Sequence, residues 1–182
     1  MKSLLAAACL LAASGCVAVH VKADTRSGAT TPSPERGAIL AVVDAFLIAD
    51  GNRDAAGLKA VVTPDAPLWV QRITKDGAQK PRKLSFADLV PAAGGDPFIE
   101  RYWDPVVQVR GGLATVWAPY ELRDNGQLKQ CGVDAFDLVK MEGRWMITGA
   151  LSTLEPDACA EFTPPSVSAL RPRDGWKETR NE

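Results

Sequence analysis

The sequence holds one histidine, His20, close to the N-terminus and ahead of any segment that patterns as a helix or strand. A Ser-His-Asp triad and any other His-dependent proton shuttle are therefore excluded from the body of the chain. There is no Gly-rich phosphate loop, Walker motif, dinucleotide fingerprint or Gly-x-Ser-x-Gly elbow. No paired Cys or His spacing suggests zinc, so neither a metal nor a cofactor is expected. Charge of one sign is missing too: 21 basic residues stand against 22 acidic ones, the formal net charge is -1, and no long basic run occurs. Nucleic-acid binding thus lacks its electrostatic footprint. What is present is an apolar content of 46%, ordinary for a folded protein. A length of 182 residues gives room for one domain with a sizeable core.

Lys2, the apolar run Leu4 to Ala13 and the small residues before Cys16 read as a secretion signal over residues 1–15. The run is too short to anchor the chain across a bilayer. Ala13-Ser14-Gly15-Cys16 resembles the bacterial lipoprotein lipobox, with Ala13 where Leu is usual. The resemblance implies that Cys16 is lipid-modified and tethers the protein to the cell envelope. Ordinary cleavage after Ala18 or Ala23 is the alternative, and it leaves a free periplasmic protein. Either route exports the chain, and a membrane enters only through that N-terminal lipid. Residues 16–34 read as a flexible tether. Of four cysteines, Cys9 falls within the signal and Cys16 is the possible lipid site, which leaves Cys131 and Cys159 as an even pair in an oxidising compartment. A disulfide between them would close ~27 intervening residues and contribute about 3 kcal/mol. Two separately buried thiols are the alternative.

A domain is expected over residues 35–159. Ser33-Pro34-Glu35 reads as a helix start, and Ile39, Val42, Val43 and Phe46 mark one buried helical face that ends at Asp50-Gly51. A second helix runs from Arg53 to about Val62. Leu68 to Thr74 reads as a strand containing Trp69, and Ser85-Phe86-Ala87-Asp88 as a capping box opening a short third helix. Phe98 to Trp103 and Val106 to Arg110 lead into a three-strand block from Leu113 to Glu155. Its turns are Asn125-Gly126 and Glu142-Gly143. Helices followed by a long antiparallel sheet imply an α+β fold with segregated layers. Residues 160–182 read as a weakly ordered C-terminal tail, pinned at most by Phe162 or Trp176.

Counting back from uninterrupted hairpins sets Glu121 against Gln130, Trp117 against Asp134, and Asp134 against Leu151. One face then carries Leu113, Thr115, Trp117, Pro119, Glu121, Gln130, Asp134, Phe136, Leu138, Trp145, Ile147, Leu151 and Thr153. Asp134 is the unusual member: a carboxylate among Trp117, Phe136 and Leu151, whose desolvation would raise its pKa. A purely structural role, hydrogen-bonding a backbone group, an indole or Arg101, outweighs the catalytic one. Trp69, Tyr102, Trp103, Trp117, Glu121, Gln130, Phe136 and Leu151 are the candidate ligand contacts, with Trp145 in the core. The opposite face includes Val116, Ala118, Tyr120, Val133, Ala135 and Ala150, too apolar for a solvated surface. A homodimer through it is expected.

Trp103-Asp104-Pro105, Trp117-Ala118-Pro119-Tyr120, Cys131-Gly132-Val133-Asp134-Ala135-Phe136 and Gly143-Arg144-Trp145-Met146-Ile147 resemble the nuclear transport factor 2-like superfamily. The branch most similar is the SnoaL-like and lumazine-binding-like one, often exported. The resemblance implies a cone: a curved antiparallel sheet wrapped on N-terminal helices, with a pocket at the open end. Its closest relatives would place His where this chain has Gln130. The superfamily includes isomerases, dehydratases and cyclases as well as non-catalytic members, so the fold leaves the activity open. The resemblance implies a pocket for a small apolar or aromatic ligand, bound without turnover. The alternatives are a cofactor-free isomerase, dehydratase or cyclase with Asp134 as base, and an envelope interaction module.

Overall fold

The computed structural model describes residues 33–89 and 96–176. The signal, Cys16, His20, the tether up to residue 32, the segment 90–95 and the last residues from 177 lie outside the described residues.

Helix α1 (Arg36–Gly51) buries Ile39, Leu40, Val43, Phe46 and Leu47, the face that the 3.6-residue period marks. It starts slightly later than Ser33-Pro34 suggests, with Glu35 at the cap position. The Glu35 carboxylate caps nothing. It accepts instead from the Lys140 ammonium at 3.0 Å and the Trp145 indole at 2.7 Å. Asp54 caps α2 (Ala55–Val61), its Oδ1 accepting from the amides of Ala56 and Gly57 at 3.0 Å each. At α3 (Phe86–Leu89) the carboxylate half of the expected capping box forms: the Ser85 amide and hydroxyl both donate to Asp88 Oδ2, at 2.6 and 2.8 Å.

Seven strands make one sheet: β1 (Pro67–Ile73), β2 (Gln79–Ser85), β3 (Ile99–Tyr102), β4 (Val106–Arg110), β5 (Leu113–Asp124), β6 (Gln127–Met141) and β7 (Arg144–Leu154). The order is β2-β1-β7-β6-β5-β3, with β4 also paired to β5. Only β1 and β7 run parallel. Strand β2 has no counterpart in the sequence reading, because Gln79-Lys80-Pro81-Arg82-Lys83 lacks apolar alternation. It holds an edge position, where charge and proline are tolerated and block further pairing.

Both hairpin turns take the left-handed backbone expected of them, with φ of 48° and 72° at Asn125-Gly126 and 50° and 81° at Glu142-Gly143. The strands beyond the turns are not uninterrupted. Leu122 pairs with Gln130 while Arg123 pairs with Leu128, leaving Lys129 as an extra residue in β6. Likewise Leu138 pairs with Ile147 and Asp137 with Gly149, leaving Thr148 extra in β7. Each bulge moves the pairing by one residue, and a one-residue slip exchanges the faces of a strand. The expected inner face is therefore corrected. On β5 the inward residues are Ala114, Val116, Ala118 and Tyr120, all buried, and Leu113 and Trp117 point out. On β6 Asp134, Phe136 and Leu138 face in as expected, as do Trp145 and Ile147 at the start of β7. Past the second bulge, Ala150 and Ser152 take the inner face and Leu151 leaves it.

The helices cover this inner face. Phe46 of α1 meets Phe136 of β6 edge to face, ring centroids 5.5 Å apart. The described part of the segment after residue 160 is fastened, in contrast to a weakly ordered tail. Tyr102 and Arg171 exchange backbone hydrogen bonds of 2.7 and 2.8 Å. Asp44 of α1 accepts from the Tyr102 hydroxyl at 2.7 Å and pairs with the Arg171 guanidinium. Leu170 is buried and Trp176 packs on the core. Cys131 and Cys159 are paired as a disulfide with their Cα atoms 5.3 Å apart, tying β6 to the 3-10 turn Pro156–Glu161.

Candidate functional site

Between the inner face and the end of α1 lies a cavity of about 510 Å³. Its walls are apolar, from Phe46, Leu68, Val70, Leu84, Phe98, Leu122, Phe136 and Leu154, and three carboxyl groups enter it: Asp50, Glu100 and Asp134. Strand register explains the arrangement. Glu100 pairs with Leu122 and Asp134 with Ala118, so both acids project from the concave side, in rows separated by that of Tyr120. Asp50 comes from the last turn of α1, where the helix dipole disfavours a carboxylate. Arg53 stands 4.0 Å from it and offsets part of that cost.

Asp134 is 5% exposed. Burial pushes its carboxyl up to about 6, although hydrogen bonds from Glu100 and Ser152 pull in the other direction. Burial raises Glu100 well above the ordinary carboxylate range, and the neighbouring charges of Asp134 and Asp50 add to it. Burial likewise raises Asp50, against the pull of Arg53. Two carboxyl groups in hydrogen-bonding contact do not both ionise readily, so the Glu100–Asp134 pair holds a shared proton near neutral pH. Around it, Tyr120 donates to the Thr153 carbonyl at 2.8 Å and accepts from Gln130 Nε2 at 2.8 Å. The Tyr120 hydroxyl is itself driven upward by burial and by the charges of Asp134 and Glu100. A proton held at the floor of an apolar cavity can hydrogen-bond a ligand oxygen, or be exchanged with it. Among the described residues, no group of three or more His, Cys, Asp or Glu side chains is gathered to hold a metal ion.

The structure brings Asp134, Gln130 and Phe136 together around the cavity. Leu151 also lines its edge, and the remaining candidate contacts are corrected. Trp117 and Trp69 are 55% and 45% exposed on the outer face, because the first bulge turns the alternate residues of β5 outward and β1 aligns Trp69 with Leu151. Leu151 borders the cavity yet is 52% exposed in that same outer row. Tyr102 is buried away from the cavity, its hydroxyl given to Asp44. Trp103 is buried beside the Pro119 carbonyl, to which its amide donates at 3.2 Å. Glu121 faces away from the cavity, paired with Arg123 at 2.8 Å. Arg101 does not hold Asp134: its Nε is buried with no hydrogen-bond partner. Glu100, Asp50 and Ser152 were not singled out in the sequence. Alternation within Ile99–Tyr102 is too short to set a face, and only pairing with β5 reveals that Glu100 looks inward.

No protein-family model matches the chain, and no curated protein matches it. Solved structures do. A nuclear transport factor 2-like protein of unknown function from Shewanella baltica superposes with a TM-score of 0.52 at 19% identity, over 70% of this chain and 98% of that one. A cystatin-like-fold protein of unknown function from Nostoc punctiforme gives 0.55 at 12% identity, over 68% and 93%. A nuclear transport factor 2-like protein from Cytophaga hutchinsonii gives 0.53 at 15% identity, over 66% and 98%. The three helices, the large unclosed sheet and these superpositions together assign the chain the cystatin-like fold of nuclear transport factor 2-like proteins.

Proposed function

We propose that this chain is an exported cell-envelope protein that binds a small apolar or aromatic molecule in its cavity. The observation that supports this most is the cavity itself: about 510 Å³ left unfilled between apolar walls, in the size range of small-molecule sites. An interaction module with a vestigial pocket would have closed that space with side chains. Native mass spectrometry of the protein purified from its own envelope tests the reading. A retained small-molecule mass supports it; a ligand-free protein that also takes up no apolar probe contradicts it. The same spectrum separates a lipid on Cys16 from simple cleavage.

A second reading, turnover of the bound molecule, is favoured by the Glu100–Asp134 pair. Among the described residues, no guanidinium holds Asp134, which stands beside open space, where a shared proton serves as both acid and base. Isomerisation or dehydration of the ligand, with no cofactor, is the chemistry that such a pair fits.

The proposed partner is a second copy. Register aligns Val106, Trp117, Ala135, Leu151, Trp69 and Lys83 in one row across six strands of the outer face. Four of these are large apolar side chains left exposed. The homodimer surface is thus this row, in place of the Val116, Ala118, Tyr120 and Ala150 set that the bulges turn inward.

A further inference from the structure

The mouth of the cavity carries three cations that the site as described so far does not use. Arg72 of β1 and Lys80 of β2 are direct cross-strand partners, and Arg82 stands on the same face two residues along, opposite Val70. All three line the cavity. Like charges directly opposite each other on a sheet destabilise it. Among the described residues, no carboxylate lies within 4.0 Å of any of the three, and only Arg82 has an acid near enough to feel its charge, Asp88 of α3. Protection of a sheet edge accounts for charge on β2, but not for Arg72, which lies on the interior strand β1. Nor do these cations serve the carboxyl pair. Arg82, Val70, Ser152 and Asp134 share one row, so Arg82 stands three strand spacings from Asp134, roughly 14 Å along the sheet. That separation is far beyond ion-pair contact.

The cavity is therefore polar at its two ends and apolar between them. One end is acidic and carries a proton; the other is basic. Resting on the reading that the cavity binds a small molecule, we propose that the ligand is an organic anion: an apolar or aromatic body bearing one oxyanion group, held by Arg72, Lys80 and Arg82. The acidic floor repels such a group, which fixes the ligand's orientation. Its anion stays at the mouth, its apolar body lies along Val70, Phe98 and Phe136, and any carbonyl or hydroxyl oxygen points at Glu100 and Asp134. Two guanidinium groups favour a carboxylate, sulfate or phosphate, which they can grip through paired hydrogen bonds.

Two fluorescent probes with the same body test this. Anilinonaphthalene sulfonate is an anion; phenylnaphthylamine is its uncharged counterpart. In low salt the wild-type protein is expected to bind the sulfonate about tenfold more tightly than the amine. The triple variant Arg72→Gln, Lys80→Gln, Arg82→Gln is expected to lose that preference and keep its affinity for the amine. Lys59→Gln, at an exposed lysine of α2 that does not line the cavity, is expected to change neither, and near-ultraviolet circular dichroism confirms that each variant is folded. Equal affinity of the wild-type protein for both probes, or a preference that survives in the triple variant, overturns the anion assignment while leaving the pocket. Failure of both probes to bind saturably overturns the pocket reading as well.

Discussion

Glu100 on β3 and Asp134 on β6 meet across the intervening β5 as a hydrogen-bonded carboxyl pair. Because the pair sits at the floor of a cavity, its protonation links the stability of the fold to the chemistry of the site. Asp134 titrates at about 6 when folded, against an ordinary value of 3.8. Between those values the folded protein binds more protons than the unfolded chain, so stability contributed here is present at low pH and lost as pH rises through that window. Asp134→Asn removes the penalty. The variant is expected to be more stable than wild type by about 3 kcal/mol near pH 7 and to match it below about pH 4. Urea unfolding at both pH values reads the difference. A variant less stable than wild type near neutral pH would show that the charged carboxylate is a net stabiliser.

The same contact predicts a coupled titration. Carbon-detected NMR of the side-chain carboxyls is expected to show Asp134 and Glu100 shifting together in two steps. In Glu100→Gln, Asp134 is expected to titrate in a single step. An unchanged two-step curve in that variant would mean that Asp50, not Glu100, is the coupled partner.

The Cys131–Cys159 bond joins β6 to the turn after β7. Intact-mass measurement before and after reduction is expected to show one bridge in protein from the oxidising compartment. Cys159→Ser is expected to lose about 3 kcal/mol in urea unfolding. Equal stability would argue for two free thiols that merely lie close together.

On the outer face, Trp117 and Leu151 flank Ala135 in register. Trp117→Lys is expected to convert a sedimenting dimer into a monomer with little loss of stability, since the side chain is exposed in the single chain. A wild-type monomer at tens of micromolar would refute the shared surface.

The local features are legible in the sequence, and the features that are not all depend on pairing between strands. The apolar period of α1, the Ser85–Asp88 box and both hairpin turns are local signals, and local geometry honours them. Asp134 was found because parity along β6 runs unbroken from Gln130 to Leu138. Trp117 and Leu151 were misplaced because Lys129 and Thr148 bulge out of their strands, and neither residue type announces a bulge. Glu100 escaped notice because the facing of a short strand is decided by its neighbour. Strand β2, with the cations of the cavity mouth, was hidden by a lysine- and arginine-rich edge whose strand character comes from backbone pairing alone.

The space above the carboxyl pair is proposed to receive a small apolar molecule. Filling it is the most direct trial: Val70→Trp places an indole from a half-buried position on β1 into the cavity. Phenylnaphthylamine fluorescence is expected to titrate the wild-type protein to saturation at one probe per chain, and to lose at least about tenfold in affinity in the folded variant. Equal affinity in the two proteins would place the probe elsewhere and rule out this cavity as the binding site.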